Sequence, residues 1–594
     1  MLLFGIVCAA QELLLLPEHM RPDPFGKVVE VDRTAGLVPG KSITLEAARA
    51  SFVSCHVLVS MPKQGAYRLE VTPFPSSSQL QAELFREWYH FLPKSKGYYP
   101  DALEPISLTV QSKLPAPDNR IADQTAQGYW LDIWIPANAV PGVYETKAVL
   151  AMNGRKSTAV LKVRVLDATV PAEDAVTMDH NTYGTSWLAG DYPTLSRQGS
   201  DDFYLSDRFF GLIHAYHRIF YDHRGTFHQL GYGHGGKVGP EFAPELAGTG
   251  RNKRIANWAL FDRHYGPLLD GSAFANTHLG SRPTKLVYLP INPEWPASYL
   301  WWGEPGYEQE FVNVVSAMEQ HFREKGWTNT RFEMFFNHKK RYKAFPWDGD
   351  EARFLNDFPY LREYDRLLKL AVKRDSPVKF VFRADVSWML EREIQEFAGV
   401  INMWICSHSD MSYLPDAPRL MKDRGDIVWT YGGTPEVTKP ASHVTREVLW
   451  PWIWGTDGFV HWLATAPGPD PWFRFEGGGE TLIYPGDRFG INGPIPSIRL
   501  KIQRNAVQDV TLLNEFRKTK PIDQLRAEAA RRFNGTELKD WRSPRPAYAD
   551  KDPLERTNAD PGPERSPKFD AGLDAAAWQR VREYVVELVK GEQR

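Results

Sequence analysis

Strand-like and helix-like segments alternate through the second half of the chain, and this alternation constrains the fold more than any other feature. Short apolar runs such as 285–291 and 331–337 are separated by amphipathic stretches such as 311–326 and 358–374. Helices of this length between strands are typical of parallel β/α units, because the chain must cross the sheet before it can add another strand in the same direction. About eight such units predict a (β/α)8 barrel over residues 175–515.

A different pattern precedes the predicted barrel. Residues 25–170 contain runs of alternating apolar and polar side chains, such as 28–32 and 129–135, divided by Gly, Pro and Asn. Asn153-Gly154 lies between two such runs, and this dipeptide is typical of a two-residue β-hairpin. The pattern predicts a β-sandwich of about immunoglobulin size. Residues 516–594 are predicted to form a C-terminal extension that ends in a helix.

Composition excludes several classes of partner. The chain has 594 residues, of which 42% are apolar and 24% charged, values that indicate a multidomain globular protein. Its formal net charge of −2 creates no field that attracts nucleic acid or anionic lipid, so neither partner is predicted. The three cysteines lack any zinc-binding spacing, and no nucleotide-binding motif is present. We therefore predict no cofactor and no metal.

The N-terminal segment 1–10 is apolar and ends in small residues. It looks like the tail of a secretory signal, which predicts a secreted or periplasmic protein. The alternative is an apolar first strand. No other apolar run approaches the ~20 residues that a membrane-spanning helix needs.

Five tryptophans lie close together near the end of the predicted barrel, beside acidic and glycine-rich loops: Trp450, Trp452, Trp454, Trp462 and Trp472. Trp offers a flat face for stacking on a ligand and an N–H group that needs a partner. A cluster of flat faces beside carboxylates favours a carbohydrate site. The alternative is that these rings pack in a large core.

Polar and aromatic residues follow many of the predicted strands. In barrel enzymes the carboxyl ends of the strands carry the chemistry, so these residues predict an enzyme whose substrate site lies at one mouth of the barrel. The candidate substrate-binding residues are Asn181, Tyr183, Glu294, Trp295, Asn337, Arg383, Asp385, Tyr431, Trp462, Asp470 and Trp472.

The adjacent acids Asp350 and Glu351 come shortly after the strand-like run 331–337. Two neighbouring carboxyl groups can divide their roles, one staying ionised to orient a substrate while the other donates a proton. The pair is also compatible with an ordinary solvated helix start. A second arrangement would place the two acids at Glu294 and Asp385, on either side of the bond that is cleaved.

Histidines 214, 217, 223, 228 and 234 lie within 21 residues of each other. The spacing of His214 and His217 lacks the accompanying carboxylate of a metal-binding helix. We therefore expect these five to be loop and surface histidines.

Together these motifs resemble the family related to glycoside hydrolase family 123. The resemblance covers nearly the whole chain, and it is carried by segments 135–171, 265–274, 287–296, 379–387 and 479–509. The last of these is the most specific, because its Tyr-Pro-Gly run and its GPIPSIRL run occur together at the end of such barrels. The resemblance implies a β-sandwich followed by a catalytic (β/α)8 barrel and the activity of an N-acetyl-β-galactosaminidase.

In that family an Asp-Glu pair after the fourth barrel strand is catalytic, and the 2-acetamido oxygen of the sugar attacks its own anomeric carbon. Carried over, Asp350 would orient the acetamido group, while Glu351 would protonate the leaving oxygen and later activate water. Here the strand ends in 337–339, and the pair comes later, followed by Ala352 instead of the family's usual proline. The prediction is a glycoside hydrolase, with a non-catalytic carbohydrate-binding protein on the same fold as the alternative.

Overall fold

The computed structural model of the chain describes residues 12–61, 63–231, 238–292, 294–296, 304–340, 345–351, 355–386, 391–551, 555 and 573–592. The signal-like segment 1–10, and with it the prediction of export, lies outside these residues. Most of the Pro-rich part of the C-terminal extension does so as well.

The N-terminal region consists of ten strands: β1 (Glu12–Pro17), β2 (Ser42–Arg49), β3 (Ser51–Ser60), β4 (Gly65–Val71), β5 (Gln81–Leu92), β6 (Gly97–Ile106), β7 (Thr109–Leu114), β8 (Ala126–Ile135), β9 (Gly142–Met152) and β10 (Arg155–Thr169). They form two five-stranded sheets, in the orders β1-β3-β8-β5-β6 and β2-β10-β9-β4-β7. Buried Leu, Ile and Val side chains from both sheets meet in one apolar core. The predicted β-sandwich is confirmed, and its first strand begins before residue 25.

The turn between β9 and β10 is the predicted hairpin. Met152 pairs with Arg155, and Asn153 and Gly154 have φ angles of 49° and 75°. Positive φ at both central residues gives the turn a twist that matches the twist of the two strands. Asn and Gly tolerate this backbone conformation better than other residues. The strand predicted at 28–32 is wrong, because Glu30–Asp32 forms a short 3-10 turn.

Twelve further strands follow in the described part of the chain: β11 (Thr177–Tyr183), β12 (Gly225–Leu230), β13 (Glu245–Ala247), β14 (Arg254–Asn257), β15 (Leu286–Tyr288), β16 (Arg331–Phe335), β17 (Lys379–Val386), β18 (Met403–Ser407), β19 (Ile427–Gly432), β20 (Gly458–His461), β21 (Ile483–Pro485) and β22 (Pro494–Pro496). Eight of them make one parallel sheet in the order β12-β11-β20-β19-β18-β17-β16-β15. Its end strands, β12 and β15, lie beside each other, so the sheet nearly closes into a barrel. The short pairs β13-β14 and β21-β22 lie outside it.

Among the described residues, thirteen α-helices have these bounds: α1 (Leu188–Asp191), α2 (Pro193–Ser196), α3 (Asp207–Asp222), α4 (Ala259–Leu269), α5 (Tyr307–Glu324), α6 (Phe358–Ala371), α7 (Glu391–Glu396), α8 (His408–Tyr413), α9 (Ala417–Lys422), α10 (His443–Trp454), α11 (Ile498–Glu515), α12 (Ile522–Asn534) and α13 (Ala577–Glu592). Helices α3, α4, α5, α6, α7, α9, α10 and α11 follow the eight barrel strands in turn. The predicted (β/α)8 barrel is therefore confirmed, as is the C-terminal helix. No helix in the described part of the chain combines the length and apolar character needed to cross a membrane.

The barrel interior begins with an apolar layer. Side chains from five different strands contact one another there, which only inward-facing residues can do: Leu286, Val381, Met403, Ile405, Trp429 and Val460. Polar residues lie above this layer, toward the carboxyl ends of the strands, and form the floor of the site described below.

Buried ion pairs hold the sandwich against the barrel. Asp132 of β8 accepts hydrogen bonds from Lys501 and Arg504 of α11 at 2.6 and 2.8 Å. Asp101 of β6 is bonded in the same way to Arg499, with a shortest distance of 2.7 Å. Because buried charges are tolerated only when they are paired and hydrogen-bonded, these contacts fix the orientation of the two domains.

Candidate active site

A chain of buried polar side chains crosses the barrel above its apolar layer. His228 of β12 lies with Nδ1 3.0 Å from Asp179 of β11 and with Nε2 3.7 Å from Glu333 of β16. Arg383 of β17 in turn lies 3.3 Å from the other oxygen of Glu333. Burial raises the pKa of the Glu333 carboxyl, and the charges of His228 and Arg383 oppose this shift.

The Arg383 guanidinium is the central cation of this layer and is only 1% exposed. It donates two hydrogen bonds to Asp385, at 2.7 and 3.0 Å, and the Tyr288 hydroxyl lies 2.6 Å away. Burial raises the pKa of Asp385 and Arg383 lowers it, with the burial contribution larger. The two candidates Arg383 and Asp385 therefore form a bidentate ion pair with each other.

The segment after β16 folds back over the end of its own strand. The backbone N–H groups of Gly349 and Asp350 both donate to the His338 carbonyl, at 3.0 and 3.3 Å. A Cβ atom on Gly349 would lie 2.4 Å from the Phe336 carbonyl oxygen, so a larger residue would push this segment away. Glycine at this position therefore lets the following acids lie at the barrel mouth.

Asp350 and Glu351 share one ammonium group. The Nζ atom of Lys339 lies 3.0 Å from Asp350 Oδ2 and 3.0 Å from Glu351 Oε2. The hydroxyl of Tyr431, at the end of β19, donates to the second oxygen of Glu351 at 2.8 Å. Both donors stabilise the ionised form of Glu351.

Asp350 differs electrostatically from its neighbour. Its side chain is 12% exposed, and burial raises its pKa to about 7; Lys339 opposes the shift, and the negative charges of Asp385 and Glu351 add to it. A carboxyl group with this pKa exchanges a proton readily at neutral pH. Glu351 has a φ angle of 54°, an uncommon backbone conformation for a residue other than glycine and one often found at functional sites.

Two further candidates lie beside this pair. Asn337 hydrogen-bonds to Tyr183, and the pKa of the Tyr183 hydroxyl is raised by burial and then by the nearby charges of Asp350 and Asp385. Asn181 is buried on the same strand as Tyr183, and side chains two residues apart on a strand point to the same face. The structure thus brings Asn181, Tyr183, Asn337, Arg383, Asp385, Tyr431, Asp350 and Glu351 to one mouth of the barrel.

Trp462 lies at the rim of this mouth. Its backbone N–H donates to the Gly432 carbonyl at 3.2 Å, next to Tyr431, and its side chain is 39% exposed. Glu294 and Trp295 follow β15, and Trp295 lines a cavity of about 480 Å³ together with Val238 and Leu246.

Trp472 and Asp470 lie in a different place, against the sandwich. The Trp472 ring packs edge-on against Trp88 of β5, with centroids 5.5 Å apart, and is stacked near His90 at 6.2 Å. Asp470 accepts a hydrogen bond from the Phe473 backbone within its own turn. In these contacts neither residue touches Asp350 or Glu351.

The tryptophan cluster does not act as one site. Trp450 and Trp452 are buried in α10, on the outside of the barrel, within a core that includes α11, α12 and α13. The prediction of a common carbohydrate site is therefore wrong for these two, because both rings pack in the apolar core that α10 shares with α11, α12 and α13.

The expectation of loop and surface histidines is also wrong. His217, His223 and His228 are buried, and they lie on α3, at its C-terminal end and on β12. His234 lies outside the described residues. Within the described part of the chain, no group of three or more His, Cys, Asp or Glu side chains is arranged to hold a metal ion.

Four residues of the site were absent from the predicted set: Lys339, Tyr288, Glu333 and His228. Glu333 carries a readable signal, because a lone carboxylate in the apolar run RFEMFF has to find a partner when the strand is buried. The partnership of Lys339 with both acids depends on the fold-back of the segment and has no local sequence signal.

Comparison with solved structures supports this architecture. A family 123 glycoside hydrolase from Clostridium perfringens, described for glycolipid glycan hydrolysis, matches with a TM-score of 0.67 and 13% sequence identity, covering 98% of this chain and 99% of that one. An endo-1,4-β-D-xylanase from Clostridium thermocellum matches with 11% identity over 77% of this chain and 90% of that one, and a TM-score of 0.32. This second TM-score is too low to establish a shared fold.

No protein-family model matches the sequence, and no curated protein matches it either. At 13% identity the likeness to the C. perfringens enzyme concerns the fold alone. Along nearly its whole length, this chain has the fold of a family 123 glycoside hydrolase.

Proposed function

We propose that the protein is a glycoside hydrolase whose catalytic residues are Asp350 and Glu351. One observation carries the proposal: the two adjacent carboxyl groups lie at the barrel mouth, share the ammonium of Lys339 and lie beside Tyr183, Asp385 and Tyr431. Glycosidic cleavage needs one group that donates a proton to the leaving oxygen and another that stabilises positive charge at the anomeric carbon. The pair supplies two carboxyl groups with different environments for these tasks.

The two carboxyl groups act as one unit that holds a proton. Lys339 and Tyr431 stabilise the charge on Glu351, while burial raises the pKa of Asp350 to about 7. Burial thus favours the protonated form of Asp350, whereas the family resemblance implies an ionised Asp beside a protonated Glu. Strongly interacting groups titrate as a pair, so a sugar that displaces Lys339 from Glu351 would move the proton to Glu351.

The competing arrangement with Glu294 and Asp385 as the two acids has weaker support. Both carboxylate oxygens of Asp385 are engaged by Arg383, at 2.7 and 3.0 Å. A nucleophile or proton donor must turn an oxygen toward the substrate, and Asp385 would have to break this buried ion pair to do so. Asp385 instead serves to hold negative charge beneath Asp350.

A purely carbohydrate-binding role would be favoured by an acidic pair on the outer surface, away from Arg383 and Asp385. Asp350 is instead mostly buried, and the Asp385 charge contributes to its raised pKa. Carboxyl groups with perturbed pKa values in a cleft are typical of catalysis. This observation favours the enzyme over the binding protein.

For the substrate we propose a glycan with a terminal or internal 2-acetamido sugar, cleaved with assistance from its own acetamido oxygen. Trp462 would stack on the sugar, and Asn181 and Asn337 would bind its hydroxyl groups. We also propose that the protein is exported to the periplasm or the exterior, where such glycans occur. This part of the proposal depends on the signal-like segment 1–10.

A panel of aryl glycosides tests this proposal. Pairs that differ only in a 2-acetamido or a 2-hydroxyl group, in the galacto and gluco series, should be compared at equal concentration with wild type and Glu351→Gln. We expect hydrolysis of an acetamido sugar and none of its hydroxyl counterpart. Cleavage of both members at equal rates would rule out acetamido assistance. Absence of hydrolysis, combined with saturable glycan binding, would instead establish the binding protein.

A further inference from the structure

A second cavity, of about 390 Å³, lies at the opposite end of the barrel from the acidic pair. The first residues of four barrel strands line it: Thr177, Gly225, Arg331 and Lys379. Because the strands are parallel, their amino ends share one face, and the catalytic candidates lie at the other. This cavity is therefore separate from the proposed active site.

The lining of this cavity is strongly cationic. Its basic residues are Arg224, Arg282, Lys285, Arg331 and Lys379, and its acidic residues are Glu173 and Asp174. Asp174 forms ion pairs with Arg224, at 2.6 Å, and with Lys285, at 3.4 Å. The cavity thus has an excess of positive charge, although the chain as a whole has a net charge of −2.

Arg282, Arg331 and Lys379 account for this excess of cations. Arg282 donates a hydrogen bond to the Ala172 carbonyl at 3.1 Å, and the other two cations, Arg331 and Lys379, form a pair. They lie directly opposite each other in the ladder between β16 and β17. No acidic side chain among the described residues forms an ion pair with either of them. Like charges on directly paired residues of neighbouring strands repel each other, and an anion bound between them would remove this repulsion.

Two buried polar atoms at the wall of the cavity lack partners. His217 is 5% exposed, and its Nε2 atom has no hydrogen bond; the Nε atom of Arg224 also has none. Buried polar atoms are nearly always bonded, so an atom of this kind at a cavity indicates a ligand or an ordered water. The other Arg224 nitrogens donate to Asp174, Pro171 and Ala50.

The cavity also has an apolar wall. The rings of Tyr221 and Phe274 stack with their centroids 4.3 Å apart and an interplanar angle of 24°. A site that combines an aromatic wall with convergent charged groups is typical of small-molecule binding, and its volume lies in the usual range for such sites.

We propose that this cavity binds a small ligand carrying a phosphate or sulfate group. The anionic group lies between Arg331 and Lys379, and the remainder of the ligand packs against Tyr221 and Phe274. This site is independent of the proposed hydrolysis, since none of its residues belongs to the candidate active site.

Calorimetric titration of the intact protein tests the site. The probes are inorganic phosphate, inorganic sulfate, galactose 6-phosphate and galactose 6-sulfate, at an ionic strength kept constant with chloride. The test variant is R331Q/K379Q, in which both exposed cations are neutralised without altering buried groups. The matched control is R155Q/K156Q, which removes the same charge from two exposed residues at the β9-β10 hairpin.

Wild type and the hairpin control should bind at least one probe with equal affinity. R331Q/K379Q should bind it at least about tenfold more weakly, as expected for the loss of charge-assisted hydrogen bonds. Tighter binding of the sugar esters than of the free anions would identify an anionic saccharide as the ligand, and equal binding would overturn the role proposed for Tyr221 and Phe274. Absence of binding by wild type, or undiminished affinity of R331Q/K379Q, would overturn the proposal.

Discussion

Tyr431 donates a 2.8 Å hydrogen bond to Glu351, a residue that lies 80 positions earlier in the chain. This bond joins the seventh strand of the barrel to the segment that follows the fourth. Together with Lys339 it leaves Glu351 with a charged donor on one oxygen and a neutral donor on the other.

Glu351→Gln should lower kcat on the responsive aryl glycoside by about 10²–10⁴-fold, the range lost when general acid–base catalysis is removed. Glutamine keeps the shape of the side chain, so the thermal midpoint should change little. Glu294→Gln is the matched control and should keep most of the activity. A fully active Glu351→Gln enzyme would exclude Glu351 from the chemistry.

The pKa of about 7 at Asp350 makes both activity and stability depend on pH. The folded protein holds a proton that the unfolded chain releases near its ordinary pKa of 3.8, so stability falls as pH rises from about 4 through 7. Asp350→Asn has no charge to bury and should raise the melting temperature at pH 8 more than at pH 4.5. Over this pH range the ionisation of Asp350 should lower the free energy of unfolding of wild type by at most about 4 kcal/mol.

Thermal melts of wild type and Asp350→Asn across this pH range measure the effect. The Asp350 carboxyl should also appear in the pH–rate profile. We expect an inflection near pH 7 in the profile of wild type and none in the residual activity of Asp350→Asn. A melting difference that does not vary with pH would show that Asp350 is already ionised in the folded protein.

Lys339→Met removes the ammonium that both acids share. The two carboxylates then repel each other without compensation, which raises the pKa of Asp350 further. The pH–rate profile should shift toward alkaline pH, and the loss of thermal stability should be greater at pH 8 than at pH 5. Lys339→Arg retains the charge and should keep a profile close to that of wild type. An unshifted profile for Lys339→Met would contradict the role given to this ion pair.

Arg383→Met should destabilise the protein by about 3–5 kcal/mol, because it leaves the buried charges of Asp385 and Glu333 without their cation. The loss of stability of Arg383→Met relative to wild type should become smaller as pH falls, since both carboxyl groups can then be neutralised by protonation. Denaturant unfolding at pH 7 and pH 5 would reveal it. The comparison variant is Arg419→Met, whose side chain is 66% exposed and whose loss should cost less than about 0.5 kcal/mol. Equal stability of the two variants would disprove the prediction.

Trp462 and Trp472 should respond to substitution in opposite ways. Trp462→Ala should weaken glycan binding by about 2–10-fold without a change in melting temperature, because the ring is exposed at the site and its stacking is worth about 0.5–1.5 kcal/mol. Trp472→Ala should lower stability by about 2 kcal/mol or more through lost packing against Trp88 and should leave binding unchanged. Glycan titration and thermal melts of both variants test these expectations. Weaker glycan binding by Trp472→Ala, with unchanged binding by Trp462→Ala, would place the sugar near the sandwich.

Periodic segments of the sequence were predicted well. The helices α5 and α6 and the strands β16 and β17 have clear apolar periods, and the barrel follows from their alternation. Strand β12 was missed, because its residues GTFHQL place polar side chains inside the barrel and so lack the usual apolar signature. His228 is buried there because Asp179 and Glu333 provide partners from other strands.

Composition did not distinguish a core tryptophan from a ligand-binding one. Trp450 lies on a helix whose outer face is covered by α11 and α12, and Trp462 lies on the loop after β20. Both rings lie in stretches of the sequence that are mostly aromatic and apolar. Only the packing of the C-terminal helices decides which ring is exposed.

The sequence by itself determined the two domains, the order of the barrel units and the identity of the adjacent acids, because these depend on local periodicity and on strand ends. The tertiary structure decided which groups surround those acids. Tyr183, Tyr431 and the folded-back segment that carries Lys339 and Asp350 come from three separate parts of the chain, and their electrostatic coupling falls off over a few ångströms. A pKa near 7 for Asp350 therefore arises only after the chain has folded around it.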